Sequence, residues 1–376
     1  MSPAPPPRKE EAEIKVVVID DSAFNRQTIT AMLESSPGIR VVARAGDGDE
    51  GLREVLSQHP DVITLDLEMP KMDGYTFLRI LMSKRPTPVI VISSNGRRDG
   101  VFKALELGAL DFISKPTQRI SPELRDIEVE LVQKVRMVSR LRVVSLAERL
   151  PRRSGVVQTV DSATASANVA AQRPVPGDLK DQPLRLCVIG ASTGGPPALQ
   201  QIAQALPRPV DLPIAIIVGL HMPAKFTHAF AERIGRTSPW QFREAASGDP
   251  LTPGTALVAP GGAITTVARG SDNVLRVRVE PPQAGDHFMP SIDRLFETAA
   301  QAVPGKNLLG IVLTGMGGDG ARGVRAIRDA GGKVVAESAE TAVIFGMPGE
   351  AIRTGAVSEV LPLQEIAQVI SRFGNA

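Results

Sequence analysis

Between Ile14 and Ile113, short apolar runs alternate with stretches whose apolar residues return every three or four positions. IKVVVI (14–19), VVA (41–43), VITL (62–65), VIVI (89–92) and LDFI (110–113) predict strands. The segment after Ser22, then Glu50 to Gln58, Tyr75 to Ser83 and Val101 to Leu107, predict the helices between them. A Ser-Pro start at Ser121-Pro122 opens a longer helix with Leu124, Ile127, Leu131, Val135 and Val138 on one face. Short apolar strands separated by helices predict a doubly wound, five-stranded parallel α/β sheet with right-handed crossovers.

The long helix is expected to run on past Leu141 and then to give way to a segment with no periodicity. RRSGVVQTVDSATASANVAAQRPVPGDLKDQ is small, polar and proline-containing, the composition of a linker. Strand-like runs then return: LRLCVIG, PIAIIVGL (213–220), TALVAP (255–260), VLRVRV (274–279), LLGIVLTG (308–315) and KVVAE (333–337). Several are continuously apolar, as strands buried on both faces of a second α/β sheet must be. The expected organisation is a disordered tail (1–13), a first domain (14–137), a helix extension with linker (138–182) and a second domain (183–376).

Composition narrows the partners. With 43 Lys+Arg against 41 Asp+Glu, the net charge is +2. There is no long basic run, and aromatic residues make up only 3%. Neither duplex nor single-stranded nucleic acid is therefore an expected partner. The tail MSPAPPPRKEEAE has no apolar core of the kind a signal peptide needs. No stretch approaches the roughly 18 apolar residues of a membrane span. A cytoplasmic protein without membrane insertion is expected. Cys187, the one cysteine, cannot form an internal disulfide and is expected to be a small buried hydrophobe.

The chemistry of the first domain gathers at its strand ends, where ligands sit in parallel α/β sheets. Asp20 and Asp21 end the first strand, Asp66 the third and Ser93 the fourth, and Lys115 follows the fifth. Converging carboxylates repel one another unless a hard cation such as Mg²⁺ holds their oxygens. A nearby hydroxyl and ammonium then suit a phosphoryl group built on one carboxylate. An Asp after a strand also serves as a helix N-cap. Five such positions together nevertheless resemble the receiver domain of response regulators, through DDS (20–22), LDLEMPKMDG (65–74), ISS (92–94) and FISKP (112–116). The resemblance implies phosphorylation of Asp66. It implies Mg²⁺ held by Asp20, Asp21, Asp66 and the Glu68 carbonyl, Ser93 and Lys115 on the phosphoryl group, and Phe112 as the switch aromatic.

In the second domain, IGASTGG (189–195) closes a strand. Gly190-Ala191-Ser192-Thr193-Gly194 fits G-x-S-x-G, the pattern around a serine nucleophile; the same glycines suit an anion on backbone N–H groups. A nucleophile needs a base and a group to orient that base. His221 directly follows the strand PIAIIVGL, which places it on the same edge as Ser192. His59, His228 and His287 lie before a strand, on a helix and in a loop. Asp319, in the glycine-rich LTGMGGDG, supplies an acid at a third strand end. The order Ser, His, Asp differs from that of α/β-hydrolases, which run Ser, Asp/Glu, His. The loop lacks the G-x-G pair of a dinucleotide fingerprint, and Pro196 stands where a phosphate-binding loop has lysine.

IGASTGG, HMPAKFTHAFAERI, PSIDRLF, LTGMGGDGARG and IFGMP (344–348) resemble the catalytic domain of the chemotaxis receptor methylesterases, the CheB family of protein-glutamate methylesterases/glutamine deamidases. That resemblance implies Ser192 as nucleophile, His221 as general base and acid, Asp319 as orienting carboxylate and the Met316 backbone N–H as oxyanion donor. It implies methyl-accepting chemoreceptors as substrates and a chemotaxis-type histidine kinase as phosphodonor, with no cofactor for the hydrolase. Ile264 stands where the family commonly has histidine, His228 takes a place usually held by another residue type, and the NGRRDG loop is short. Two alternatives remain at this level. A receiver-controlled adaptor with an idle hydrolase-like domain needs only the fold. A transcription regulator needs a basic recognition helix, which the second half lacks.

Overall fold

Val16 to Ile19 are all but sealed from water, and this continuous apolar run becomes a central strand of the first sheet. The computed structural model describes residues 13–93, 98–115, 122–139 and 184–375. The tail up to residue 12, residues 94–97 at the start of the NGRRDG loop, Ser121 and the linker lie outside them. Two units, Met1–Ala147 and Glu148–Ala376, each carry their own sheet.

The first unit runs β1 (Ile14–Ile19), α1 (Ala23–Glu34), β2 (Ile39–Ala45), α2 (Gly48–Gln58), β3 (Val62–Leu65), α3 (Gly74–Lys84), β4 (Val89–Ser93), α4 (Arg98–Glu106), β5 (Asp111–Ser114) and α5 (Pro122–Val138). The strands lie parallel in the order β2-β1-β3-β4-β5. Three helices start where a side-chain oxygen accepts an otherwise unpaired amide: Ser22 from Asn25, Asp47 from Glu50 and Asp73 from Thr76. β2 is longer than the run VVA because Ile39 already pairs with Ile14.

The second unit runs β6 (Arg185–Ala191), α6 (Gly195–Ala205), β7 (Ile214–Leu220), α7 (Phe226–Thr237), β8 (Phe242–Glu244), β9 (Ala256–Val258), β10 (Ile264–Arg269), β11 (Leu275–Glu280), α8 (Ile292–Ala302), β12 (Leu308–Val312), α9 (Ala321–Asp329), β13 (Lys333–Glu337), α10 (Gly346–Arg353), β14 (Glu359–Leu361) and α11 (Leu363–Asn375). Seven strands form a parallel sheet in the order β14-β13-β12-β6-β7-β9-β8. The winding reverses between β6 and β12, and a crevice opens at the carboxyl ends of the strands at such a reversal.

VLRVRV, expected within this sheet, instead pairs antiparallel with β10 in a separate two-stranded sheet. Its alternation of apolar and charged residues suits a strand buried on one face only. Cys187 is wholly buried in β6, and burial pushes its thiol pKa up.

Helix α8 packs tightly on the middle of this sheet. A Cβ on Gly190 of β6 would stand 2.5 Å from Ile292 Cγ2, so only glycine admits the helix this closely. Ile292, Leu295, Phe296 and Ala299 are fully buried there. Each of the three larger side chains contributes about 1.5–3 kcal/mol by leaving water. This packing carries the N-terminus of α8 to the carboxyl edge of β6.

Candidate active site

Sheet register makes Ser192 and His221 neighbours. Ala191 pairs with Leu220 across β6 and β7, and Ser192 and His221 are the next residue on each strand. The His221 amide donates to the Ala191 carbonyl at 3.1 Å. On the other side the Ser192 amide donates to the carbonyl of Thr314, just past β12, at 3.0 Å. Ser192 therefore sits at the winding reversal. Gly194 takes the left-handed backbone turn (φ +78°), and α6 starts at once, with prolines in a first turn that has no amides to lose. The positive φ falls on Gly194 and not on Ser192, unlike the strained serine of a nucleophile elbow.

Asp319 reaches this edge from the glycine loop after β12. Its Oδ2 lies 2.8 Å from His221 Nε2. It also accepts from the Ile292 amide at 2.7 Å, the Asp293 amide at 2.9 Å and Ser291 Oγ at 3.4 Å, all at the start of α8. Burial pushes the Asp319 pKa up, but the His221 hydrogen bond and charge, with these amides, outweigh it and hold the carboxyl below its ordinary range. The positive end of α8 adds to the same effect. The carboxylate is sealed, with 2% of its side chain exposed, while His221 keeps 15% open to an incoming group.

Phe288 stacks on the His221 ring, with centroids 4.8 Å apart and planes 7° from parallel. Among the described residues, no hydrogen bond within 3.5 Å joins Ser192 Oγ to His221, and no acceptor takes the Met316 amide. Of the other histidines, His228 lies on α7 beside Glu232 and Glu244, and His59 ends α2. Ile264 is buried in β10.

The expected acidic pocket gathers at the edge of the first sheet. Ile19 pairs with Leu65, so Asp20 and Asp66 are neighbours. Oxygens of Asp20, Asp21 and Asp66 lie within 4.8 Å of one another. Lys115 Nζ stands 2.6 Å from Asp66 and 3.4 Å from Asp20. Burial raises the Asp66 pKa to about 6 against the pull of Lys115. Burial works against the Lys115 ammonium, yet Asp66 and Asp20 more than offset it and raise its pKa. Ser93 ends β4, and its carbonyl accepts the Lys115 amide at 2.8 Å. The Glu68 amide donates to Asp66 Oδ1 at 3.3 Å. Phe112 is buried in β5, its carbonyl held by Lys134 at 2.9 Å.

Four contributors escape a reading of the sequence alone. Asn25 donates to both oxygens of Asp20. Phe288 carries the ring stack. Glu337, fully buried at the end of β13, accepts the Thr314 amide at 2.8 Å. Asp293 accepts four donors from the segment after Asp319. The available signal for Asp293 is its place two residues after the N-cap Ser291, where acids suit a helix start.

The chain matches the family model of the response regulator receiver domain over residues 16–124 and that of CheB methylesterase over residues 187–370. The protein-glutamate methylesterase/protein-glutamine glutaminase 1 of Myxococcus xanthus is 48% identical, covering 96% of this chain and 97% of that protein. The corresponding enzyme 3 of Geobacter sulfurreducens is 47% identical, over 96% and 98%. Among solved structures, the catalytic domain of Thermotoga maritima CheB methylesterase is 33% identical, covering 50% of this chain and 97% of that one at a TM-score of 0.48. Nearly half identical to such relatives along almost its whole length, the chain belongs to the CheB family of protein-glutamate methylesterases/protein-glutamine glutaminases, with a receiver domain ahead of the methylesterase domain.

Proposed function

We propose that this chain is a phosphorylation-regulated serine hydrolase that demethylates glutamyl methyl esters on chemoreceptors and deamidates glutamines there. Ser192 is the nucleophile, His221 the general base and acid, Asp319 the orienting carboxylate and the Met316 backbone N–H an oxyanion donor. The observation that carries this reading is the 2.8 Å bond from His221 to a sealed, donor-saturated Asp319, one strand away from Ser192.

Asp319 occupies Nε2, which leaves Nδ1 as the nitrogen that takes the Ser192 proton. Oγ attacks the ester carbonyl carbon, the carbonyl electrons move to oxygen, and the Met316 amide faces the resulting oxyanion. Collapse breaks the bond to the methoxy oxygen, which leaves as methanol with the proton from Nδ1. Water, deprotonated by the same nitrogen, then attacks the acyl-serine; the proton passes to Oγ, and a glutamate carboxylate is released. A glutamine side chain follows the same steps with ammonia as leaving group. Throughout, the Asp319 carboxylate fixes the imidazole tautomer and stabilises the imidazolium.

Asp20, Asp21, Asp66 and the Glu68 carbonyl suit Mg²⁺, since three clustered carboxylates with a single ammonium offer the oxygen donors a hard cation takes. Bound there, the ion neutralises the carboxylates and the oxygens of an incoming phosphoryl group. Asp66 accepts the phosphoryl group from a chemotaxis-type histidine kinase, Lys115 and Ser93 hold it, and Phe112 relays its arrival. Phosphorylation shifts the population of the domain at 14–137, joined by the segment 138–182 to the catalytic domain at 183–376, towards an active state. In this reading the enzyme acts in the cytoplasm. Among the described residues no helix is long and apolar enough to cross a membrane.

Labelling with a serine-directed organophosphorus probe, mapped by mass spectrometry, tests the site. Modification at Ser192 that is lost in His221→Ala is expected; undiminished labelling in that variant contradicts the assignment.

A further inference from the structure

We propose that Asp293, in the first turn of α8, is a positioning residue for hydrolysis: it holds the Asp319 carboxylate on His221 by fixing the backbone that follows Asp319. The inference rests on the roles of Ser192, His221 and Asp319 set out above.

Asp319 has little of its own to keep it aimed. Gly317 and Gly318 precede it and Gly320 follows, with Gly317 and Gly320 in left-handed conformations. Such a segment packs no side chains and loses the most entropy on ordering. Helix α9 begins immediately afterwards, and its N-cap, Gly320, offers no side-chain acceptor. The Ala321 amide donates to the Gly318 carbonyl at 3.1 Å, but those of Gly320, Arg322 and Gly323 would lie unpaired next to the carboxylate that must not move.

Asp293 fills that gap from a different helix. Its Oδ1 accepts the amides of Gly320, Arg322 and Gly323, each at 2.9 Å. Its Oδ2 accepts Arg322 Nε at 3.0 Å. In return, the Asp293 amide donates to Asp319 Oδ1 at 2.9 Å and the Ile292 amide to Asp319 Oδ2 at 2.7 Å. Each carboxylate thus caps the helix that carries or follows the other. Asp319 is tied at its oxygens to α8, and the next peptide is tied at its N–H to Asp293. The cross-tie leaves Oδ2 pointing at His221 Nε2.

Charge and acceptor are separable here. Arg322 is 67% exposed along its side chain, so its ion pair with Asp293 contributes little. The three amides on Oδ1 lie at a buried group, 7% exposed, where an unpaired N–H is costly. The acceptor oxygen therefore carries the function, and an amide side chain preserves it.

The test uses the full chain, with kcat and KM for methanol release and the downfield proton resonance of the His221 N–H held by Asp319. Asp293→Ala is expected to lower kcat on the order of 100-fold, the cost of misplacing a catalytic group by about 1 Å. KM stays unchanged and the downfield resonance is lost. Asp293→Asn restores both, and Arg322→Ala leaves both as in the native chain. Should Asp293→Ala not fold, Asp293→Glu takes its place, moving the same acceptor by one methylene, with the same expected fall in kcat at constant KM. A folded Ala or Glu variant with native kcat and resonance overturns the proposal, as does an Asn variant no better than Ala. Asp319→Ala separates the two levels. If it turns over normally, the role given to Asp319 fails; if it is inactive while Asp293→Ala is not, only the role of Asp293 fails.

Discussion

Asp66 and Asp319 are both buried carboxylates at the carboxyl edge of a parallel sheet, 2% and 4% exposed, yet their surroundings treat them in opposite ways. Asp66 faces a second carboxylate, Asp20, and one ammonium, Lys115; burial pushes its pKa up to about 6. Asp319 accepts from two amides, a hydroxyl and an imidazole; burial pushes its pKa up, but the His221 hydrogen bond and charge and the two amides outweigh it and hold the pKa down. Asp66 accepts from one backbone amide, that of Glu68, and from Lys115; on the proposed function, this is the carboxylate that takes a cation and a phosphoryl group. One saturated with donors stays ionised and holds a neighbour still. In the proposed roles, the same edge of the same kind of sheet carries a nucleophile in one unit and an orienting group in the other, and the two differ in the N–H donors that reach them.

Asp319→Asn breaks the comparison most severely. An amide in place of the carboxylate favours the wrong imidazole tautomer, and kcat for methanol release is expected to fall by about 10⁴-fold. A kcat near the native value would mean that donor saturation of Asp319 serves the fold alone.

Gly190→Ala probes the scaffold that brings α8 to Asp319. Its Cβ would meet Ile292 Cγ2 at 2.5 Å, and overpacking of this kind costs about 1–3 kcal/mol. The melting temperature should fall by several degrees, at about 2–4 °C per kcal/mol for a unit of this size. An unchanged melting temperature would show that α8 is free to retreat.

The smallest effect sharpens the other half of the comparison. Between the ordinary aspartate value of 3.8 and about 6, folded Asp66 keeps a proton that the unfolded chain has released. Stability therefore falls as pH rises through that window. Relative to Asp66→Asn without added Mg²⁺, the native chain should lose stability from about pH 4 to pH 6 and change little above pH 7, as read from melting temperatures. A difference that grows in the native chain's favour over that window would contradict the raised pKa.

The strands that carry the sites were legible from their apolar runs: β3, β6, β7 and β12 are buried along nearly their whole length, and β1 from Val16 to Ile19. The short strands β8 and β14, three residues each and only partly buried, leave no such run. β10 is buried through Ile264, Thr265, Thr266 and Val267, but its threonines break the apolar pattern and Gly261-Gly262 precede it as a turn. The register that sets Ser192 beside His221 pairs Arg185 with Ile214 through to Ala191 with Leu220. The ties from Asp293 to Gly320, and from Phe288 to His221, join segments 27 and 67 residues apart. No local period marks such pairs; the first depends on the close approach of α8 that Gly190 permits.

The most direct measurement is methanol release from methylated chemoreceptor membranes by the native chain and by Ser192→Ala, each with and without a small phosphodonor and Mg²⁺. Release by the native chain that rises with the phosphodonor, and none from Ser192→Ala, is the expected result. Release from Ser192→Ala at the native rate would contradict the assignment of Ser192 as the nucleophile.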